Sequence, residues 1–191
     1  MTTGYDLLTG VGRIYIAPQG TAFPALNAAV ASPWRDLGET EGGVKVAFDD
    51  KLEEKMVDQE TGPVKVWRTE EHVTIETKLA TATLENLADV LGVGVVTVPA
   101  SAGVPATRAV PMYAGFPVKE YSYLFRGFSA YADFPAQYEL IRGYFGGASE
   151  LDHQKGASTP ISCKFFALIN LNAGGDAEKF GRLIHQTGAA L

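Results

Sequence analysis

The chain has 191 residues, 46% of them hydrophobic and 20% charged, with a formal net charge of −6. That length and balance suit one folded domain with its own core and exclude a disordered chain. The acidic balance excludes a standing nucleic-acid binder, which needs a basic stripe. The single cysteine, Cys163, excludes an intrachain disulfide and fits a reducing compartment.

The opening stretch MTTGYDLLTG has no basic start and no continuous apolar run, so no secretory signal is expected. GRIYIAP (12–18) reads as a short strand that Pro18 ends. Residues 19–33 form a Pro/Ala-rich surface loop, and WRDLG (34–38) resumes ordered structure. In 42–48, Val44, Val46 and Phe48 alternate with Gly43, Lys45 and Ala47, the pattern of a half-buried strand.

The next window is unusual. Between 49 and 60 stand Asp49, Asp50, Glu53, Glu54, Asp58 and Glu60 against Lys51 and Lys55, which leaves −4 of the chain's −6. Two conformations fit it. Asp50 with Glu53 can form a capping box, and Leu52 with Met56 has helical spacing. A continued strand instead puts Leu52 and Met56 on the face of Val44, Val46 and Phe48, packed on the core. The Gly-Pro pair in ETGPV (60–64) marks a turn.

HVTIETKL (72–79) is the clearest strand, with Val73, Ile75, Thr77 and Leu79 on one face and His72, Thr74, Glu76 and Lys78 on the other. TLENLADVLG (83–92) is the clearest helix. Thr83 is the N-cap, Glu85 complements the dipole, Leu84, Leu87, Ala88 and Leu91 form the stripe, and Gly92 is the terminator. Residues 93–118 read as a long loop with short strands. Residues 119–132 carry Tyr121, Tyr123 and Phe125 on one face and Leu124 and Phe128 on the other, a strand apolar on both sides. Segments 137–145 and 160–171 read as further strands. For 176–186, a helix capped by Asp176 with Phe180, Leu183 and Ile184 inside is the candidate, weakened by Gly181. The Pro and Gly breaks in the uncharged runs 14–34 and 90–107 argue against lipid-embedded helices.

No catalytic constellation emerges. His72, His153 and His185 lack metal-ligand spacing, and Asp152-His153 lacks a serine elbow to serve. Asp49, Asp50, Glu53 and Glu54 lack the calcium-loop pattern and have lysines among them. GVGVV (92–96) and FGGAS (145–149) lack the full dinucleotide and phosphate-loop signatures. Cys163 sits within a strand pattern as a buried structural residue. No enzyme, cofactor or metal is expected.

The order of parts from Gly38 to Gly92 is distinctive. A glycine-rich entry strand (GETEGGVKVAF) leads to the acidic DDKLEEKMVDQETGPV, a strand pair (VKVWRTEEHVTIETKL) and a short helix (ATATLENLADVLG). This order resembles the major tail tube proteins of long-tailed bacteriophages, a fold shared with contractile-tail and type VI secretion tubes. VDQETGPV and the passage VTIETKLATATLENL carry most of the resemblance. It implies a mainly β, sandwich or barrel-like fold with one flanking helix at about 83–91 and a long extended hairpin or loop. The expected layout is a single domain over 1–191, with the extended region at about 40–72 and loop insertions at about 19–33 and 93–118.

The resemblance further implies hexameric rings that stack into a hollow tube, non-contractile by preference, assembled in the host cytoplasm and resident in the virion tail. Implied partners are other copies, the tape measure protein, and tail tip and terminator proteins. Double-stranded DNA passes without specific binding, and no membrane is engaged. Val44, Val46, Phe48, Val73, Ile75 and Leu79 are the expected inter-subunit strand residues, and Asp49 and Glu53 the expected lumen-facing acids. The alternative is a β-sandwich carbohydrate- or receptor-binding module using Tyr121, Tyr123, Tyr131, Tyr138 and Tyr144. A small hydrolase is a third reading, for which no triad is found.

Overall fold

The computed structural model describes residues 12–127, 136–147, 149–151 and 159–186. Phe128, Tyr131, Asp152 and His153 lie outside the described residues. The elements in chain order are β1 (Gly12–Pro18), β2 (Arg35–Asp36), β3 (Thr40–Lys55), β4 (Lys65–Leu79), α1 (Leu84–Val90), β5 (Val96–Val98), β6 (Thr107–Ala109), β7 (Tyr121–Gly127), β8 (Ala136–Gly146), β9 (Ile161–Ala167) and β10 (Gly181–His185). The fold is mainly β, as the sequence implies, with one α-helix among the described residues.

One antiparallel sheet runs in the order β2-β1-β7-β8-β9-β4-β3, and β10 pairs with β8 beside the end of β9. β5 and β6 form a separate small ribbon. The main sheet does not lie flat. β1 and β4 are four strand spacings apart, ~19 Å in a planar sheet. Yet Ile14 and Ile16 share one buried cluster with Ile75, Leu79, Tyr123, Phe145, Ile161, Cys163 and Phe165. The sheet therefore curls into a sandwich-like shell around its own core.

The core explains why the strands read as they do. Tyr123 points into the main cluster, and Leu124 points into a second one with Ala17 and Trp34 on the other face. The loop 19–33 covers that second face rather than simply running over the surface. Phe23 packs on Trp34 with ring centroids 5.1 Å apart, and Arg126 Nη2 donates to the Ala25 carbonyl at 3.0 Å. Its approach is set by Gln137, which is buried and donates to the Pro24 carbonyl at 3.1 Å.

Helix α1 starts where its cap places it. Thr83 Oγ1 accepts from the Asn86 amide at 3.2 Å, and Gly92 follows the last turn at φ +70°. Asn86 is buried and donates to the carbonyls of Leu37 and Thr81 at 2.8 and 2.7 Å. Those bonds hold the helix between the two ends of the curled sheet. Arg35 reaches Asn86 Oδ1 at 2.6 Å and also pairs with Asp89, whose other oxygen accepts from Tyr121 Oη at 3.0 Å.

The segment 176–186 departs from the helical expectation. A 3-10 turn spans Asp176–Glu178, and residues 181–185 form β10. Gly181 decides it. Its φ is +150°, and a Cβ there would strike the Glu139 backbone of β8. Strand pairing with β8, from Gly181↔Leu140 to His185↔Ala136, takes the place of local helix.

Candidate assembly surface

The acidic window is strand, not helix. β3 continues unbroken to Lys55 and pairs with β4 from Thr40↔Leu79 to Lys55↔Lys65. The chain returns through a nine-residue loop, 56–64, closed by the Val64 amide on the Lys55 carbonyl at 2.9 Å. Two irregularities shape the ribbon. Gly42 and Gly43 are extra residues in β3, both at positive φ (77° and 82°), a conformation that favours glycine. Thr69 is an extra residue in β4, between Glu70↔Lys51 and Arg68↔Leu52.

Only the root of the ribbon belongs to the domain. β9 covers β4 over Thr74–Leu79 and no further. From Phe48 and Val73 outward, β3 and β4 pair only with each other among the described residues. This free arm is ~25 Å long before its turn. Both of its edges are open, and an isolated two-stranded hairpin is marginal in water without a partner surface.

The expectation that Phe48, Leu52 and Met56 pack on the core is corrected. Val44 and Val46 do pack there, but Phe48 is 72% exposed, Leu52 53% and Met56 52%. The reason is reach, because the arm runs past the elements that could cover it. The expected inter-subunit residues divide in the same way. Ile75 and Leu79 are buried in the subunit's own core, Val44, Val46 and Val73 pack against that core, and Phe48 alone of the six is open to a partner.

Paired residues share a face. Val46↔Ile75, Phe48↔Val73, Asp50↔Glu71 and Leu52↔Arg68 lie on one side. Arg68 bridges two acids there, reaching Asp50 at 2.9 Å and Glu71 at 2.7 Å. Asp49↔His72, Lys51↔Glu70 and Glu53↔Trp67 lie on the other side. That second face is not simply acidic. Lys45, Lys51, Lys55 and Lys65 stand against Asp49, Glu53, Glu70 and Glu76.

Lys45 and Lys51 are held in pairs. Lys164 and then Lys45 hold the Glu76 carboxyl below its usual value, at 2.6 and 3.4 Å. His72 and then Lys51 do the same for Glu70, at 3.5 and 3.4 Å. Asp49 and Glu53, by contrast, have no ion-pair partner among the described residues. They are exposed carboxylates, and Lys55 and Lys65 at the tip end of the same face are likewise without an ion-pair partner among the described residues.

A second exposed surface lies in 93–118. β5 and β6 are exposed throughout, tied to α1 by the Arg108–Glu85 ion pair, and Lys119 bonds the Val93 carbonyl at the loop's base. Beyond β6, VPMYAGFPV (110–118) has no charged residue, and Met112 is 99% exposed, Tyr113 81% and Phe116 99%. The composition of this segment was visible in the sequence, but not that its aromatic side chains stay outside the core.

Four of the five tyrosines offered for a ligand-binding surface lie among the described residues, and all four are otherwise engaged. Tyr123 is buried, Tyr121 bonds Asp89, Tyr138 packs on Phe125 at 6.0 Å, and Tyr144 stacks on Phe166 at 5.4 Å. Cys163 is buried in the core, and burial pushes its thiol up to about 12, so it is no nucleophile. Residues 3–117, well over half of the chain, match a family model described as phage tail tube protein. No curated protein matches the chain significantly.

Proposed function

The chain belongs to the phage tail tube protein family, structural proteins of the virion tail that self-assemble into a tube and associate with other tail proteins, and from that premise we propose that its copies close into hexameric rings that stack around a DNA channel. The observation that carries this is the free arm of β3 and β4, with two open edges and exposed apolar residues. A closed ring of identical copies removes such edges by pairing them. The open edge of β3 pairs with the next copy, and the arm reaches the adjacent ring. The whole chain, 1–191, acts as one tube domain with no enzymatic role.

The remaining partners follow from a hollow tube. The tape measure protein fills the channel during assembly in the host cytoplasm, tip and terminator proteins close the ends, and double-stranded DNA passes later. Electron microscopy of the purified chain with tip complex tests the reading. Rings and stacked tubes are the expected result; particles that stay dispersed after tip complex is added would overturn it.

The face of β3 carrying Asp49 and Glu53 lines the channel. Its charges sum to zero, with Lys55 and Lys65 at the tip, and on the root side of them the unpaired Asp49 and Glu53 supply a local repulsion that dies within about 8 Å at physiological salt. DNA then slides instead of sticking, since every basic contact to phosphate adds counterion-release affinity. The double variant Asp49→Lys/Glu53→Lys is expected to form normal tubes and to eject DNA severalfold more slowly, with the delay shrinking at high salt. Unchanged ejection kinetics would remove these two residues from the channel wall.

A further inference from the structure

β3 is the longest strand described, 16 residues from Thr40 to Lys55, and among the described residues its outer edge has no partner over that whole length. An edge shared between copies has to be read in one register. A slip of one residue turns every side chain to the other face, and a slip of two keeps the faces but displaces the copies by ~7 Å. Within the subunit, the core and the 56–64 loop fix the register of β3 on β4. Neither constrains a strand added outside. Resting on the tube reading above, we propose that the bulge at Gly42 and Gly43 is the register stop for that edge: a neighbouring copy's strand pairs from Val44 outward and does not run past the bulge.

The bulge gives the subunit's own core nothing. Between Glu41↔Lys78 and Val44↔Thr77, β3 takes three steps while β4 takes one, so both glycines stand outside the ladder. The ladder resumes at once on the far side with Thr40↔Leu79, so the bulge does not end the strand. It bows β3, and a strand following the outer edge loses its line of donors and acceptors there. A Cβ added at either glycine would meet nothing within 4 Å among the described residues, so glycine is not there to make room for another part of the subunit. What the two positions need is positive φ, which glycine holds without strain. Thr77 secures the bow, its Oγ1 donating to the Gly43 carbonyl at 2.9 Å.

Charge closes the other end of the edge. Six of the seven residues in 49–55 are charged, and charged side chains blunt an open edge. Between bulge and charges lies VKVAF (44–48), with one charged residue and the length of an ordinary strand. The ring contact then falls on the stretch nearest the body, and the arm from Asp49 outward stays free for the adjacent ring.

Hydrogen exchange of the full chain, free and in tubes grown on tip complex, tests the stop. The outward-pointing amides within 44–48 are expected to gain protection in the tube, and those within 40–43 to gain none. Protection gained across 40–43 as well would overturn the stop, since a bulge that only twisted the ribbon leaves those residues open to pairing. No gain anywhere on β3 in well-formed tubes would also overturn it, and would move the ring contact elsewhere with the tube reading intact. Failure of the unsubstituted chain to form rings or tubes would sink the tube reading, and the stop with it. Deleting Gly42 and Gly43 together provides a second readout. The deletion joins Glu41 to Val44 without changing the face any residue takes, so the monomer is expected to keep its near-UV circular dichroism. With tip complex, the yield of regular tubes is expected to fall about tenfold while irregular assemblies take their place, because slipped registers are then open. Regular tubes at the parent's yield, or a monomer that no longer folds, would overturn the proposal.

Discussion

Replacing residues 49–72 by an Asn-Gly turn is expected to give a chain that folds normally and never forms a tube. Phe48 and Val73 face each other directly in the β3–β4 register, so a two-residue hairpin turn joins them there. Nothing beyond that pair enters either buried cluster; Val44, Val46 and Val73 are the arm-side residues that touch the core. The melting temperature of the shortened monomer should therefore stay within a few degrees of the full chain. The excised segment also removes the acidic window, so the shortened chain is less negative by 4, with Glu70, Glu71, Lys65 and Arg68 cancelling.

Assembly is where the loss appears. The arm presents Phe48, Leu52, Met56, Val64 and Val66 to solvent and, among the described residues, leaves the outer edge of β3 and the Lys65–Val73 edge of β4 unpaired. Deletion removes all but the first of those side chains and both free edges beyond the root. Microscopy with tip complex should show no tubes at concentrations 100-fold above those that suffice for the full chain. Tubes of normal diameter from the shortened chain would mean that ring closure and stacking use other surfaces.

The same arm marks the limit of what the sequence can say. The alternation in 42–48 and 72–79 is legible because those residues sit where one face meets the core, and binary pattern follows burial. Leu52, Met56 and Trp67 continue a similar pattern, but no element among the described residues covers them. A strand that waits for a partner copy has the pattern of a strand that already has one. The helix option for 50–60 fell for a related reason: its cap and spacing were genuine local signals, and the cross-strand ladder with 65–71 outweighed them.

Parity was the other hidden quantity. The extra residue Thr69 moves Trp67 onto the face of Glu53 and puts Arg68 beside Asp50, which a strict count of alternation from His72 would reverse. The pairs Lys45–Glu76 and Lys51–Glu70 lie on the root side of Thr69 and follow from the cross-strand register, which the sequence alone does not give, so the sequence named Asp49 and Glu53 but not the lysine–glutamate pairs beside them. Glu139 was equally illegible. It is buried at an inward position of β8 because Arg182, 43 residues later, reaches it at 2.7 Å from β10. Helix α1 was the opposite case, since its cap, acidic first turn and terminating glycine are all local.

Phe165→Ala is expected to cost about 3–5 kcal/mol, the range for emptying a buried aromatic site. Phe165 is buried, with its ring 4.9 Å from Tyr123 and edge-on to Phe145 at 5.3 Å. Its ring also lies against the backbone at Gly143, where a Cβ would collide with it. No neighbour can move in to fill the space, because Tyr123 and Phe145 are fixed by their own strand pairs in β7 and β8. Against a total stability of 5–15 kcal/mol this is a large fraction. For a chain of this size the melting temperature should fall by about 10 °C, at 2–4 °C per kcal/mol. The damage should also reach the arm. Phe165 stands opposite Ile75 in the β9–β4 pair, the clamp that holds the arm's root. Faster hydrogen exchange of the Thr74–Leu79 amides is the expected signature, with β1 less affected. Phe165→Leu should recover more than half of the loss, because much of the cavity is refilled. A melting temperature within 2 °C of the parent for Phe165→Ala would show that the core around β9 is not what anchors the arm.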